Sequence, residues 1–299
     1  MSMPERELAA RGGHGRGMQR CEPSQRESAR APDLLGRWLR RTILAAAALS
    51  SLSLMASAPA WAGRPCTAQT LTVSAVTQGL SLADRTVQRL NASGAKVVVL
   101  ARAGQDLSAY SLRYSHLGLA YKEGDAWRVL HKLNHCGTAE ASVYREGIGD
   151  FFLDSPYQYV AGVVPLRADV AEKLLPYLRE PFMAAGVHTR SYSMVAYPWA
   201  QDHQQSNQWA VETLAVAMND RGSSRVAAQG WLRQQGFEPT ELHLSTLTRL
   251  GARLSMANVS FDDHPAYLRF TNRIRTTTVD AVFDWLVRSG LGEAQWVIR

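Results

Sequence analysis

The stretch from Arg37 to Ala62 decides which residues of this chain can belong to a fold. Arg37, Arg40 and Arg41 flank Trp38 and precede an uncharged run, Thr42 to Ala56, that leads to Ala60-Trp61-Ala62. A basic start, an apolar middle and an A-x-A end are the three parts of a cleavable signal peptide. The apolar run is 15 residues, short of the ~20 that a helix needs to cross a bilayer. The expectation is export with no stable membrane span after cleavage, and a periplasmic location. The Arg40-Arg41 pair is compatible with either the general or the twin-arginine route. Residues 1–36 carry Arg, Gly, Ser and Glu without periodicity and read as a disordered extension or a start placed too early. The folded part is expected over 63–299.

Removing the leader changes the electrostatic reading. The whole chain has 33 basic and 26 acidic residues; the first 62 hold nine and five of these, leaving 24 and 21, a net +3. So small a surplus, with no Lys/Arg cluster, gives no reason to expect a nucleic-acid partner. Cys21 falls in the leader. Cys66 and Cys136 remain, in a compartment where disulfides persist, and a Cys66–Cys136 bridge is the natural expectation; two buried thiols are the alternative. No CxxC pair or close Cys/His cluster announces a metal, and no cofactor motif is present.

The remaining 237 residues show no repeat or linker and suit one α+β domain. Leu80, Ala83, Val87 and Leu90 recur at helical spacing and predict a helix over 79–92, ended by Asn91-Ala-Ser-Gly94. Lys96 to Ala101 is short and β-branched, a buried strand. Arg113 to Tyr121 and Ala126 to Leu133, joined by Lys122-Glu-Gly-Asp125, predict a hairpin. Further expectations are strands over 157–166 and 192–197, and helices over 168–178, 207–219, 224–235 and 277–288. An alternating run covers Arg269 to Arg275, and the C-terminal part is otherwise helical.

No P-loop, GxSxG, HExxH or dinucleotide glycine pattern occurs, so any site must be assembled from dispersed residues. Side chains alternate along a strand, which puts His116, Gly118 and Ala120 on one face. Gly118 is expected to clear space beside the histidine. A turn centred near Gly124 brings His131 directly across from His116, so two imidazoles could share a site, one as base and one as orienter. A structural histidine with one satisfied nitrogen is the alternative for each. Ser206 precedes a helix whose dipole and N–H groups could stabilise a negative charge, although Ser is equally suited to cap that helix. Tyr192, Tyr197, Trp199 and Trp209 surround Ser206 in sequence and could line a cleft or simply fill the core. Asp202-His203 could supply a further acid or base, from what reads as an exposed loop.

His116-x-Gly118 on a strand, a second polar residue on the next strand and Ser206-Asn-Gln-Trp209 opening a later helix resemble the circularly permuted, papain-like branch of the NlpC superfamily. That resemblance implies an antiparallel sheet packed against helices, with Ser206 at the cysteine position, His116 as base and His131 as orienting residue. It implies a hydrolase or acyltransferase acting on an amide or ester of the cell envelope, with a small molecule, peptide or lipid as partner. Serine departs from the family's thiol, whose anion a neighbouring imidazole can stabilise, so a non-catalytic binding or assembly protein that keeps the cleft is the second expectation. From about 63 to 290 the chain, with Ala196-Tyr-Pro-Trp199 and Ser206-Asn-Gln-Trp209, also resembles an uncharacterised family of proteobacterial exported proteins.

Overall fold

The structure, a computed structural model, describes residues 70–299 apart from 155 and 221. The expected signal peptide, the preceding segment and Cys66 lie outside the described residues. Helix α1 (Val73–Ser93) starts at Thr72, whose hydroxyl accepts from the Ala75 amide, and stops at Gly94 in the left-handed conformation that glycine adopts without strain. It begins six residues before the start that the apolar spacing alone predicts.

Strands β1 (Val97–Ala103), β2 (His116–Glu123), β3 (Ala126–Asn134) and β4 (Ala141–Gly147) follow, then helix α2 (Ile148–Leu153) and strand β5 (Gln158–Pro165). With β8 (Trp296–Ile298) they make a six-stranded sheet of order β4-β3-β2-β1-β5-β8. Every neighbouring pair is antiparallel. Central β1 is buried along its whole length, as its Val-Val-Val-Leu run requires of a strand covered on both faces.

Helices α3 (Ala168–Arg179), α4 (Pro181–Ala185), α5 (Ser206–Met218), α6 (Arg225–Gln234) and α9 (Val279–Arg288) complete the main body. One face of the sheet presents Val99, Leu117, Leu119 and Leu130 to α3, α5 and α9. The other presents Val98, Leu100, Ala120 and Val129 to α1 and α2. The odd-even division along β2 therefore separates two cores. A two-stranded ladder of β6 (Thr240–His243) and β7 (Arg273–Thr276), with α7 (Thr246–Ser255) and α8 (Ala266–Arg269), carries a small third cluster around Phe261 and Ile274.

The expected strand over 192–197 is not formed. Tyr192 and Ser193 are buried, but the backbone here bonds to scattered partners: the Tyr192 amide to Ala139 O, Met194 to Asn258 O, Ala196 to Ser193 O. Burial without a ladder explains why the apolar pattern looks like a strand. The α+β class with an antiparallel sheet against helices holds.

Candidate functional site

Gly124, at φ 58°, and Asp125 form the tight turn between β2 and β3, and Glu123 pairs with Ala126. That pairing sets Leu119 opposite Leu130 and so carries Gly118, not His116, to the position across from His131. The two histidines are diagonal neighbours on the face covered by α2, and their rings still meet. His116 Nε2 lies 2.9 Å from His131 Nδ1, and the rings are 5.2 Å apart and nearly edge-on.

The chain continues onto β4. His131 pairs with Tyr144 and Val129 with Glu146, so Glu146 is diagonal to His131 in its turn. His131 Nε2 is 3.0 Å from Glu146 Oε2. His116, His131 and Glu146 thus form one hydrogen-bonded row across three strands. With Glu146 ionised, a consistent assignment of protons has Glu146 accepting from His131 Nε2–H and His131 Nδ1 accepting from His116 Nε2–H. The hydrogen bond from His131 holds the Glu146 carboxyl below its usual range against the opposing effect of burial, and the Arg102 guanidinium helps.

Phe151 of α2 roofs the row, its ring 5.9 Å from that of His116 and 5.4 Å from that of His131. Arg102, opposite His116 on β1, lies over the Phe151 ring at 4.8 Å and donates to Phe151 O and the Asp154 carboxylate. His131 is fully buried, whereas Glu146 keeps 28% of its side chain exposed. Gly118 does not open a space for an incoming group. A Cβ there would stand 2.5 Å from Val129 Cγ1 and 3.1 Å from His131 Cβ, so the absent side chain is what lets β3 carry a histidine at this point.

Ser206 is placed differently. The N-cap of α5 is Gln205, whose side chain accepts from the Asn207 amide at 3.1 Å, and Ser206 is the first residue of the helix proper. Gln205 is itself anchored by donating to Thr276 Oγ1 at 2.8 Å and Thr277 O at 2.7 Å. Of the backbone N–H groups near 206 to 208, which the resemblance would make an oxyanion site, those of 207 and 208 already serve the Gln205 side chain. Ser206 is buried, and it lies close enough to the buried Tyr192 phenol, whose pKa burial raises, to offset part of that rise.

Asn207 Oδ1 accepts from the Leu117 amide at 3.1 Å, beyond the last β2–β3 pair, so the start of α5 wedges where these strands part. The Leu117 side chain faces α5, and His116 on the opposite parity faces α2. Among the described residues no hydrogen bond joins Ser206 to His116 or His131. The structure brings the two histidines together.

The aromatic residues around Ser206 do not line one cleft. Trp209 is buried and donates to Ala184 O at 3.3 Å; Trp199 packs on Phe237 under Arg233; Tyr197 lies against His264. His203 Nδ1 is 3.9 Å from buried Asp263 Oδ2.

Glu146 is not found by sequence reasoning, although a repeat is available: 116, 131 and 146 are equally spaced, as two successive hairpins of similar length make them. A second buried polar group, on the α5 face, is equally silent in the sequence. Lys132 donates to Thr189 O at 2.7 Å and Gln204 Oε1 at 2.8 Å, and Arg225 Nε to Glu212 Oε2 at 2.8 Å. Gln204, Gln208 and Gln229 donate to the same carboxylate. Burial and the nearby Arg225 push the Lys132 amine down to about 7. Every member is bonded, so this network fastens α5 to α6 and β3. Among the described residues no three His, Cys, Asp or Glu side chains are arranged to hold a metal ion.

These features define an α+β domain with a histidine–histidine–carboxylate row on its central sheet. The chain belongs to the family described as uncharacterized proteins conserved in bacteria, DUF2145, whose model matches residues 89–286 and so includes the row and the start of α5. No match was found among curated proteins or among solved structures.

Proposed function

We propose that this protein is a periplasmic hydrolase or acyltransferase of permuted papain-like fold, acting on an amide or ester of the cell envelope, with His116 as its general base. The observation that carries this reading is the continuous row from His116 through His131 to Glu146, with contacts of 2.9 and 3.0 Å. A base needs a defined tautomer and a partner that stabilises the positive charge it acquires. His131 sets the tautomer, and Glu146 behind it compensates the charge. In hydrolysis His116 takes a proton from water, and in acyl transfer from the acceptor hydroxyl, as that oxygen attacks the acyl carbon; the protonated imidazole then gives the proton to the leaving amine or alcohol as the C–N or C–O bond breaks, which regenerates the base. The wedge of α5 between β2 and β3 supports the papain-like comparison. Export through residues 37–62 and a Cys66–Cys136 bridge belong to the same reading. Ser206 is the nucleophile that the resemblance implies; no hydrogen bond joins it to either histidine among the described residues, so its role is tested separately from that of His116.

The test is turnover of acyl esters and muramyl-peptide amides by the wild type and by His116→Ala, His131→Ala and Glu146→Gln. Loss of a general base lowers the rate by about 10²- to 10⁴-fold, and Glu146→Gln is expected to fall between His116→Ala and wild type. Equal rates in all four proteins would sink the proposal.

The second reading, a non-catalytic envelope binding or assembly protein, is favoured by one observation: Phe151 roofs the histidines and His131 is wholly buried. A fluorophosphonate probe addresses the serine separately. Labelling at Ser206 that disappears in His116→Ala would establish Ser206 as nucleophile. Labelling that survives His116→Ala would remove His116 as its base.

A further inference from the structure

Helix α7 is amphipathic in the wrong direction. It is capped by Ser245, whose hydroxyl accepts from the Thr248 amide, and spans Thr-Leu-Thr-Arg-Leu-Gly-Ala-Arg-Leu-Ser without a single buried residue. At about 100° of turn per residue, Leu247, Leu250 and Leu254 fall within an arc of about 60°. Ala252 and Met256, on the opposite side, are the residues that pack against the Phe261–Ile274 cluster. The leucines therefore point away from the body of the protein, and they are 81%, 52% and 80% exposed.

The segment tied to α7 through Arg249 is exposed as well. Arg249 Nη1 donates to Thr271 O at 2.6 Å, and Thr246 Oγ1 to Asn272 Oδ1 at 3.2 Å, which fixes 268–272 beside the start of α7. There Phe270 is 87% exposed, and Tyr267 is exposed too.

The charges on these elements have one sign. Helix α7 carries Arg249 and Arg253, α8 carries Arg269, and neither contains a carboxylate. Arg253 and Arg269 share one acid, Asp262, at 3.0 and 3.5 Å, so the pair keeps a positive excess. Arg249 is turned inward onto Phe261, so a leucine stripe with the half-exposed Arg253 at its flank and Arg269 on the neighbouring helix remains, the composition of a helix that lies in a bilayer interface, with arginine stems reaching up to anionic headgroups. A second copy of this chain is a poor occupant. A two-fold interface on this helix would set arginines against arginines, with no carboxylate on the helix to answer them.

We propose that α7 and the adjoining Phe270 form a docking surface for an anionic lipid bilayer, holding the domain at the membrane face. The proposal is independent of the histidine row.

The experiment is flotation of the full chain with vesicles of phosphatidylglycerol and phosphatidylethanolamine, and with vesicles of phosphatidylcholine alone. Wild type and variants are prepared identically, and binding through α7 is read as the difference between wild type and the triple variant on each vesicle, so that anything contributed by the amino terminus cancels. Wild type is expected to float with the anionic vesicles only. The combined change Leu247→Ser, Leu250→Ser and Leu254→Ser is expected to weaken that binding by at least about tenfold. Arg253→Gln and Arg269→Gln are each expected to weaken it by about fivefold at low salt. Because Leu247 and Leu254 are about four-fifths exposed and Leu250 half-exposed, the triple variant should melt close to the wild type, which separates lost docking from lost folding. The proposal is overturned if the triple variant floats as well as wild type, or if phosphatidylcholine vesicles bind equally. It is also overturned if wild type ignores both vesicles and instead self-associates through α7.

Discussion

Gly118→Ala measures how tightly the strand under the histidine row is packed. The added methyl would lie 2.5 Å from Val129 Cγ1, 3.1 Å from His131 Cβ and 3.4 Å from Leu130 O. Val129 is branched at Cβ and fully buried, so it cannot swing clear as a long side chain would. His131 is held at both ring nitrogens. Alanine in a strand recovers about 0.5–1 kcal/mol of backbone entropy relative to glycine, while overpacking a filled core costs about 1–3 kcal/mol. The net is a loss of up to about 2.5 kcal/mol, toward the upper end because the 2.5 Å contact is with a side chain that cannot move, which for a domain of this size lowers the melting temperature by up to about 10 °C. Gly230→Ala is the internal control: Gly230 lies inside α6, and nothing stands within 4 Å of the place an added methyl would take. There the same substitution should stabilise by about 0.5–1 kcal/mol. Thermal unfolding followed by far-UV circular dichroism reads both. If Gly118→Ala melts at or above wild type, the packing beneath the row is looser than the geometry says.

Other expectations follow from the polar groups. Arg225→Met strands the buried Glu212 carboxylate and should cost about 3–5 kcal/mol in urea unfolding, with Glu212→Gln in the same chain restoring part of it. Lys132 has a folded pKa of about 7 against an ordinary 10.5. Between those values the unfolded state binds more protons, so stability should rise with pH across that window, and Lys132→Met should flatten the rise. Glu146 runs the other way: its lowered folded pKa gives stability that is present above the ordinary carboxylate value and lost as pH falls through the folded one. Glu146→Gln should remove that acid-limb loss in the same titration. Mass spectrometry of the exported protein without reductant should find Cys66 and Cys136 peptides joined; two free thiols would dispose of the bridge.

Much of the sheet is legible because its signals are local. The β2–β3 hairpin is announced by Lys122-Glu-Gly-Asp125, and β1 by its β-branched run. The register departs from expectation because the turn is centred between Gly124 and Asp125 rather than near Gly124. A shift of that kind slides the strands by two residues and keeps every side chain on its face, which is why His116 and His131 still meet, diagonally. Strand β4, Ala-Ser-Val-Tyr-Arg-Glu-Gly, is a partly exposed edge with little apolar patterning, so neither it nor Glu146 stands out in the sequence. The placement of Ser206 differs for another reason. A sequence can say that a residue opens a helix, but which face of the sheet that helix covers depends on contacts such as Asn207 to Leu117, ninety residues apart.

The strand order has a kinetic corollary. Strands β1 to β4 form a meander of consecutive antiparallel neighbours, with short loop closures within the β2–β3–β4 part. Strand β5 must return past them to pair with β1, and β8 pairs with β5, Ala161 against Ile298, only after almost the whole domain has been threaded. Closing long loops is entropically late. Central β1 and β2 lie in the early half and are paired on both sides over much of their length, so their amides should be among the slowest to exchange with deuterated solvent, and those of edge strand β8 among the first to open.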